Sequence, residues 1–357
     1  MKNIVFYISD HGFGHASRNI PIIRYILEVK NNIKIHIKTG INQGLFIKDS
    51  IKDLKNSKNA LFEFKNIDIG LVLKKNSLDI DQEKLEKKVY EYIDSWDDLK
   101  KRESIFLKEN NIDLIISDIV PWIFECSEDL KIKSLLISNF TWTDIYKEYL
   151  SEKICDKYKF AYKKANFTFL YDLYIKSMIE YLNNYEKVGL LCREFNLEKV
   201  EKIKGKYSKP IVFVSVGRSV DINKEVDVSD LNYNFICTEG INLKGDNVEY
   251  IPKETDNTHD YIMSSDYIIT KAGWGTVSEA LIGNKKIALL SREGVSEDRN
   301  TINILLERNL AIKVDSHRLN IKEIIKDLEK FIPSYEEFKI ENSYREIGNK
   351  ILELLKK

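Results

Sequence analysis

The stretch Asn3-Ile-Val-Phe-Tyr-Ile-Ser9, followed at once by Asp10-His-Gly-Phe-Gly-His15, decides the fold of this chain. Its first part is apolar and rich in β-forming residues, which indicates a buried strand. From Ser17 to Lys30, apolar residues recur at helical spacing, which predicts a helix. A strand, a loop rich in glycine and histidine, and a helix in this order are typical of an open parallel α/β sheet, in which ligands bind beyond the carboxyl ends of the strands.

The same alternation of buried strands and helices continues along most of the chain. Further strands are expected at Ile33–Lys38, Asp113–Ser117, Ser134–Ser138, Phe167–Tyr171, Ile211–Val216, Phe235–Cys237, Tyr267–Thr270, Ile287–Leu290 and Ala311–Val314. Helices are expected near Asp81–Glu109, Trp122–Leu130, Thr276–Ile282, Thr301–Arg308 and Tyr335–Leu355. This order predicts an α/β protein with parallel sheets covered on both faces.

The length of 357 residues suits two domains better than one. The strand pattern restarts at Lys209-Pro210, after a charged stretch that contains turns. We therefore expect two Rossmann-like, doubly wound domains facing across a cleft. The first covers residues 1–190, a linker covers 191–208, the second domain covers 209–334, and a final helix lies within 335–357.

The charge balance and the cysteines exclude several classes of protein. Lys+Arg and Asp+Glu each number 56, so no basic field favours nucleic acid or an anionic membrane as the main partner. The four cysteines are far apart and form no CxxC pair, which indicates reduced thiols. The N-terminus lacks the pattern of a signal peptide, and no apolar run reaches the roughly 18 residues of a membrane span. We expect a cytoplasmic protein, and peripheral membrane contact is left open.

The first loop carries the strongest candidates for catalysis. Gly12 and Gly14 permit a tight turn and close approach of a ligand. His11 and His15 are then expected at the ligand-binding edge of the sheet, and histidine is well suited to take a proton near neutral pH. The alternative is that a histidine only orders the loop. A nicotinamide cofactor is disfavoured, because Ser17 and not glycine stands three residues after Gly14.

Asp118 ends the apolar run that starts at Asp113, so it is expected at the same edge of the sheet as His15. A carboxylate bonded to the far imidazole nitrogen would fix the tautomer and stabilise the imidazolium. The alternative is that Asp118 caps the helix that starts near Trp122. The sequence alone leaves both interpretations open.

A second glycine-rich loop, Lys271-Ala-Gly-Trp-Gly-Thr-Val-Ser-Glu279, again separates a strand from a helix. Free backbone N–H groups at a helix N-terminus form an anion site, and the hydroxyls of Thr276 and Ser278 can bind a diphosphate. The alternative is a capping box from Thr276 to Glu279, in which the glutamate bonds only backbone. The matching loop in the first domain favours a nucleotide site.

Three shorter motifs are weaker candidates. Gly217-Arg218-Ser219 ends a strand, where the arginine either neutralises a diphosphate or is solvated. Glu297, Asn300 and Asn303 follow a later strand and are expected at the same edge. Asp79-Ile-Asp81 is a DxD pattern, which can bind a metal, but it precedes a long helix and is better interpreted as a loop and N-cap.

At the two glycine-rich loops the sequence resembles the GT-B glycosyltransferases, in particular their MurG-like and UDP-glycosyltransferase branches and the transferase-like N-terminal region of plant arabinokinases. The resemblance rests on His11-Gly-Phe-Gly-His15-Ala-Ser-Arg18 and on Gly273-Trp-Gly-Thr-Val-Ser-Glu279-Ala. The chain departs from the family at Arg299-Asn300, where the family has an Asp-Gln or Gln-Gln pair, and at Lys271, where many members have histidine.

The resemblance implies an inverting, metal-independent transfer of a sugar from a nucleotide sugar, most simply UDP-linked, to an acceptor hydroxyl. It implies that His15 is the base, Asp118 its partner and Glu279 a ligand of ribose hydroxyls. The implied donor-site residues are Gly14, Gly217, Arg218, Ser219, Lys271, Gly273, Trp274, Gly275, Thr276, Ser278, Glu279, Glu297 and Asn300. The first domain would bind the acceptor, the second the nucleotide sugar, and the last helix would pack back on the first domain.

The acceptor is expected to be a carbohydrate or glycolipid, bound by His11, Phe13 and Trp142. The aromatic segment Thr141–Tyr185 offers stacking faces for a sugar, although core packing is the alternative for most of its rings. No cofactor is expected beyond the nucleotide sugar as co-substrate. Two other functions remain open: a nucleotide-sugar hydrolase of the same fold, which has a similar first loop, and a non-catalytic module that binds sugar nucleotides.

Overall fold

In a computed structural model of the chain, the N-terminal apolar run forms strand β1 (Lys2–Ile8), whose last five residues are buried. The structure describes residues 1–74, 80–215, 222–252, 255–291, 294–315 and 319–356. These residues group into two compact units. Unit 1 comprises Met1–Val72, Ile80–Leu190 and Asn342–Lys357, and unit 2 comprises Leu73–Asp79 and Leu191–Glu341.

Unit 1 is built on a seven-stranded sheet in which every pair is parallel, in the order β3-β2-β1-β4-β5-β6-β7. Its further strands are β2 (Ile33–Thr39), β3 (Ala60–Phe64), β4 (Leu114–Asp118), β5 (Lys133–Ser138), β6 (Phe167–Tyr171) and β7 (Tyr185–Val188). Its helices are α1 (Phe13–Val29), α2 (Ile41–Ser50), α3 (Gln82–Glu109), α4 (Ile123–Leu130), α5 (Trp142–Tyr146) and α6 (Glu152–Lys163), with short 3-10 helices at Ser57–Asn59 and Lys176–Glu180.

Unit 2 contains a six-stranded parallel sheet, in the order β12-β10-β8-β13-β14-β15, and a two-stranded sheet of β11 and β9. The strands are β8 (Ile211–Ser215), β9 (Ile222–Asp227), β10 (Asn234–Cys237), β11 (Ile241–Lys244), β12 (Val248–Tyr250), β13 (Tyr267–Lys271), β14 (Lys286–Ser291) and β15 (Ile312–Asp315). The helices are α7 (Leu197–Lys204), α8 (Thr258–Ser264), α9 (Trp274–Ile282), α10 (Ser296–Glu307) and α11 (Ile321–Lys330), with a 3-10 helix at Tyr335–Glu337.

The last helix, α12 (Tyr344–Leu354), belongs to unit 1 and packs against α1. The rings of Tyr25 and Tyr344 meet edge to face at 6.1 Å, and the Tyr25 hydroxyl donates to Asn349 Oδ1 over 2.8 Å. The helix is shorter than the sequence predicted, because the 3-10 helix and an irregular stretch precede it.

The predicted fold class, two Rossmann-like α/β domains with parallel sheets, is confirmed by the seven-stranded and six-stranded sheets. Residues 191–208, which the sequence predicted as a linker, contain α7, and this helix packs against α8 inside unit 2. The small β9–β11 sheet was not expected from the sequence. Within the described ranges, no helix is both long enough and apolar enough to cross a membrane.

Candidate active site

The first glycine-rich loop leads directly into α1. Gly12 has a φ of 86°, a backbone conformation that favours glycine, and it occupies the N-cap position of the helix. The helix therefore begins at Phe13, earlier than the apolar periodicity indicated, and His15 lies within its first turn. Periodicity misses this turn because its residues lie at the edge of the sheet rather than over the apolar core.

His15 and Asp118 form a buried pair. The parallel register of β1 and β4 places Ile8 beside Asp118, so the aspartate ends its strand next to the loop that leads to His15. His15 Nδ1 lies 2.9 Å from Asp118 Oδ1, and the two residues are 7% and 1% exposed. Among the described residues, no hydrogen bond involves His15 Nε2, so this nitrogen is the one available to a ligand.

The alternative role of Asp118, as the cap of the following helix, is wrong. The N-cap of α4 is Trp122, and no side chain caps that helix. The backbone turns sharply directly after Asp118, at Ile119. Ile119 has a φ of 63°, which is rare for a β-branched residue and costs about 1–3 kcal/mol. Its carbonyl accepts a hydrogen bond of 2.6 Å from the Tyr162 hydroxyl, which helps to hold the strained turn.

Arg18 completes the pair, and the sequence analysis gave it no role. Its Nε donates to Asp118 Oδ2 over 2.7 Å, its Nη2 donates to Oδ1, and the same Nη2 lies 2.9 Å from His15 Nδ1. Asn19 Nδ2 also donates to Asp118 Oδ2, over 2.6 Å. Burial alone would raise the pKa of Asp118, but Arg18 and His15 lower that pKa to about 2. The sequence signal was the spacing, since Arg18 lies one helical turn after His15.

His11 lies at the surface of the same loop. Its ring meets the Trp142 ring edge to face at 5.7 Å and covers Gly70, where a Cβ would come within 1.8 Å of the imidazole. Trp142 is buried and donates from Nε1 to Asp68 Oδ2 over 2.8 Å. Burial raises the pKa of Asp68 to about 8, and the nearby carboxylate of Asp10 adds to this rise. The sequence analysis missed Asp68, which follows no strand pattern.

The remaining expected residues of this loop are placed differently. Phe13 is half-buried, and its ring meets Phe46 edge to face at 5.6 Å. Gly14 is exposed, with no atom within 4 Å of where a Cβ would stand. Six of the large rings expected to offer stacking faces are buried instead: Trp142, Tyr146, Tyr158, Tyr162, Tyr171 and Tyr181. For these rings, core packing is the correct interpretation.

In unit 2, the second glycine-rich loop connects β13 to α9. The helix begins at Trp274 with Gly273 as its N-cap and no capping side chain. Thr276 is therefore inside the helix, and the capping-box interpretation is wrong. Backbone N–H groups at a helix N-terminus are suited to bind an anion. Ser278 is fully buried, and its Oγ has no hydrogen-bond partner among the described residues.

Glu279 is buried and bonded to Arg193, a residue that the sequence analysis did not single out. Arg193 Nη2 donates to Glu279 Oε1 over 3.2 Å and to Thr258 Oγ1 over 3.2 Å, while Nη1 donates to the Asp256 carbonyl. Burial raises the pKa of Glu279, and Arg193 opposes this rise. Arg193 thus fixes one carboxylate oxygen of Glu279.

The other candidates of unit 2 are partly placed. Lys271 ends β13 half-buried, Trp274 is buried, and Gly275 and Thr276 follow it in the first turn of α9. Glu297 and Asn300 lie half-buried near the start of α10, and Asn303 on the same helix is exposed. Gly217, Arg218 and Ser219 lie outside the described residues, as does Asp79. Asp81 caps α3 and accepts from Lys84 N over 3.2 Å, which confirms its interpretation as an N-cap.

Comparison with known proteins gives one relative by sequence and several by structure. No family model matches the chain. Over 331 residues the chain is 24% identical to L-arabinokinase of Arabidopsis thaliana, a match that covers 85% of this chain. It covers 30% of that protein, so the chain spans about a third of the length of this relative.

Solved structures with the same architecture include glycosyltransferases. Arabidopsis thaliana UGT89C1 complexed with UDP-L-rhamnose has a TM-score of 0.71 and 13% identity, covering 99% of both chains. Phytolacca americana UGT2, complexed with UDP-2fluoro-glucose and pterostilbene, has a TM-score of 0.65 and 12% identity, covering 98% of this chain and 94% of that one. The calicheamicin glycosyltransferase CalG4 has a TM-score of 0.61 and 14% identity, covering 99% and 94%. At these identities the likeness establishes a GT-B fold.

Proposed function

We propose that the chain is an inverting glycosyltransferase that moves a sugar from a nucleotide sugar, most simply UDP-linked, to an acceptor hydroxyl. The observation that carries the proposal is the buried His15–Asp118 pair, with Nδ1 of the histidine 2.9 Å from the carboxylate and Nε2 unbonded within the described residues. A base held in this way at the carboxyl edge of a parallel sheet suits deprotonation of a bound hydroxyl.

The proposed reaction is a single displacement. His15 Nε2 takes the proton of the acceptor hydroxyl, whose oxygen forms a bond to the anomeric carbon. The bond from that carbon to the diphosphate breaks, and its electron pair leaves with the nucleoside diphosphate. Asp118 stabilises the imidazolium through Nδ1. One displacement inverts the anomeric centre.

The proposal assigns donor binding to unit 2. The first turn of α9, after Gly273, offers the N–H groups and dipole of a helix N-terminus to the diphosphate, and Thr276 and the buried Ser278 add hydroxyls. Glu279, with one oxygen fixed by Arg193, would accept from ribose hydroxyls through the other. Lys271, Trp274, Glu297 and Asn300 are the further proposed donor residues, and Arg218 stays a prediction from the sequence alone.

The proposal assigns the acceptor, a carbohydrate or glycolipid hydroxyl, to unit 1, where His11 and Phe13 precede His15 by four and two residues. No protein cofactor is required, because a helix N-terminus and cationic side chains stabilise the leaving diphosphate without a metal. A cytoplasmic location and peripheral membrane contact remain predictions. The chain spans 30% of the Arabidopsis relative, so the kinase activity in that protein's name is not assigned to it.

The experiment that tests the function combines binding with turnover. The melting temperature is measured with UDP, GDP and dTDP, because a ligand that binds only the folded protein stabilises it by mass action. A panel of nucleotide sugars is then incubated with and without carbohydrate acceptors, and both transferred and free sugar are measured. We expect a rise in melting temperature with UDP, and release of UDP that depends on an acceptor.

Three outcomes would change the function. Sugar released at full rate without an acceptor would indicate a nucleotide-sugar hydrolase. Nucleotide binding without any turnover across the panel would indicate a non-catalytic binding module. No thermal shift with any nucleoside diphosphate at millimolar concentration would contradict the donor site itself.

A further inference from the structure

Arg18 touches both members of the proposed catalytic pair. Its Nη2 lies 2.9 Å from His15 Nδ1, and its Nε donates to Asp118 Oδ2 over 2.7 Å. The Arg18 side chain is 3% exposed and that of Asp118 is fully buried. An arginine is always charged and only donates hydrogen bonds. The charge of Asp118 is therefore neutralised at the point where it meets the imidazole.

The position of Arg18 is fixed by strands of the same sheet. Nη1 donates to Asn139 Oδ1 over 2.6 Å, and Nη2 donates to Ser138 Oγ over 3.1 Å. The guanidinium carbon lies 5.4 Å from the centre of the Tyr171 ring, at the end of β6. A side chain held from β4, β5 and β6 is a built part of the site and not a solvated surface charge.

The chemical consequence follows from the charges that face His15. A buried carboxylate beside a histidine favours the imidazolium, commonly by one to three pH units. An imidazolium already holds its proton and cannot act as a base. Among the described residues, Asp118 and Asp10 are carboxylates that interact with His15, and Tyr171 behind Arg18 is uncharged because burial raises its pKa. The cation of Arg18 opposes these carboxylates.

We propose that Arg18 is a positioning residue whose guanidinium charge keeps His15 uncharged. Nδ1 carries the proton and donates it in a hydrogen bond to Asp118, so the contact with Nη2 acts through charge and not as a hydrogen bond, and Nε2 can take the acceptor proton. The inference rests on the proposed role of His15 as a base. When His15 becomes an imidazolium during transfer, Nδ1–H still donates to Asp118, while Arg18 favours return of the proton to solvent. Arg18 thus tunes the base without touching the substrate.

The test compares Arg18→Met with Arg18→Lys and with Arg24→Met. Arg24 lies on the same helix and pairs with Asp53, away from His15, so it is a matched control. In Arg18→Met, we expect the acid limb of the kcat/KM profile to move to higher pH by about one unit or more, with kcat at pH 7 lowered about tenfold or more. Arg18→Lys keeps the charge, so its limb stays near that of the wild type while kcat falls. Arg24→Met should leave both the acid limb of the kcat/KM profile and kcat unchanged.

A second readout is independent of activity. The ring signals of the five histidines are followed by NMR through a pH titration, and His15 is assigned by the loss of its signal in His15→Gln. We expect the His15 signal of Arg18→Met to titrate at higher pH than in the wild type. If transfer activity is never found, this comparison still decides the role of Arg18, so the two proposals fail separately.

The result that overturns the inference is an unchanged His15 titration in folded Arg18→Met. If this variant does not fold, Arg18→Gln, which keeps a donor towards Asp118, carries the same comparison. Failure of both neutral variants to fold assigns Arg18 to stability alone and also overturns the inference.

Discussion

Arg193 and Glu279 form a buried ion pair, with Nη2 3.2 Å from Oε1, although 86 positions separate them in the sequence. Arg193 lies in the stretch that the sequence presented as a linker, and Glu279 lies in the second turn of α9. The carboxylate is held on one side and retains a second oxygen for a ligand. This geometry allows the proposed donor site to be tested without changing the proposed base.

Glu279→Ala is expected to weaken UDP binding about 10- to 100-fold, because it removes the carboxylate that we propose accepts from ribose hydroxyls. Arg193→Ala should give a smaller loss, since it leaves the carboxylate present but unfixed. Isothermal titration calorimetry measures both affinities. His15→Ala is the matched control, because it lies in unit 1 and should leave UDP affinity nearly intact. Unchanged affinity in Glu279→Ala would remove this residue from the donor site.

His15→Ala is expected to lower kcat by roughly 100- to 10,000-fold, the usual cost of losing a general base. Asp118→Asn should give a smaller but clear loss, because an amide supports the imidazolium less well. Steady-state kinetics with a fixed donor and acceptor measure both variants. His11→Ala is the control on the same loop. If His15→Ala is fully active and His11→Ala is inactive, the base is His11.

Substitutions of the exposed His11 and of the buried Trp142 should have different effects. His11→Ala is expected to raise the KM for the acceptor more than that for the donor, with little change in melting temperature, because His11 is exposed. Trp142→Ala should instead destabilise the fold by about 3–5 kcal/mol, since it empties a buried site and leaves Asp68 without its indole donor. Kinetics and thermal denaturation of both variants test this division.

Asp68 makes the stability of the protein depend on pH. Its pKa is about 8 in the folded chain and about 3.9 when unfolded, so the folded state binds the proton more tightly. The contribution to the free energy of unfolding is complete below about pH 4 and is lost as the pH rises to about 8. Asp68→Asn should flatten this decline and be relatively more stable at high pH, by on the order of a few kcal/mol.

Melting temperature measured from pH 4 to 9 checks the Asp68 prediction. Asp53→Asn is the control with the opposite sign. Its hydrogen bond with Arg24 lowers the pKa of Asp53, so the stability it contributes is lost only as the pH falls into the acid range. An unaltered slope above pH 4 in Asp68→Asn would contradict the prediction.

Transfer should persist in EDTA, because in the proposed mechanism the first turn of α9 and cationic side chains take the place of a divalent ion. Turnover is measured after chelation and after addition of manganese or magnesium. Complete loss in EDTA with recovery on adding metal would contradict this and return attention to Asp79 and Asp81. The cap formed by Asp81 at α3 argues for the first outcome.

The sequence was sufficient for the fold class and for the elements that carry the site. Buried strands alternate with helices strongly enough to predict two parallel sheets, and strands that end at one edge explain why His15 and Asp118 meet. The roles of Arg18 and Arg193 could not be predicted from the sequence. The partner of a long side chain depends on strand register and packing, which no local sequence pattern contains. The first residue of α1 could not be predicted either, because Gly12, and not the spacing of apolar residues, determines where the helix begins.

The return of α12 to unit 1 has a consequence for folding during synthesis. In topological terms, Leu191–Glu341 is an insertion within unit 1, because residues from Asn342 onwards rejoin the N-terminal part of the chain. During synthesis, Tyr25 on α1 can contact Tyr344 and Asn349 only after the insertion has been made. Unit 1 therefore contains the first residues to be synthesised, but it can be completed only after the whole insertion has been made.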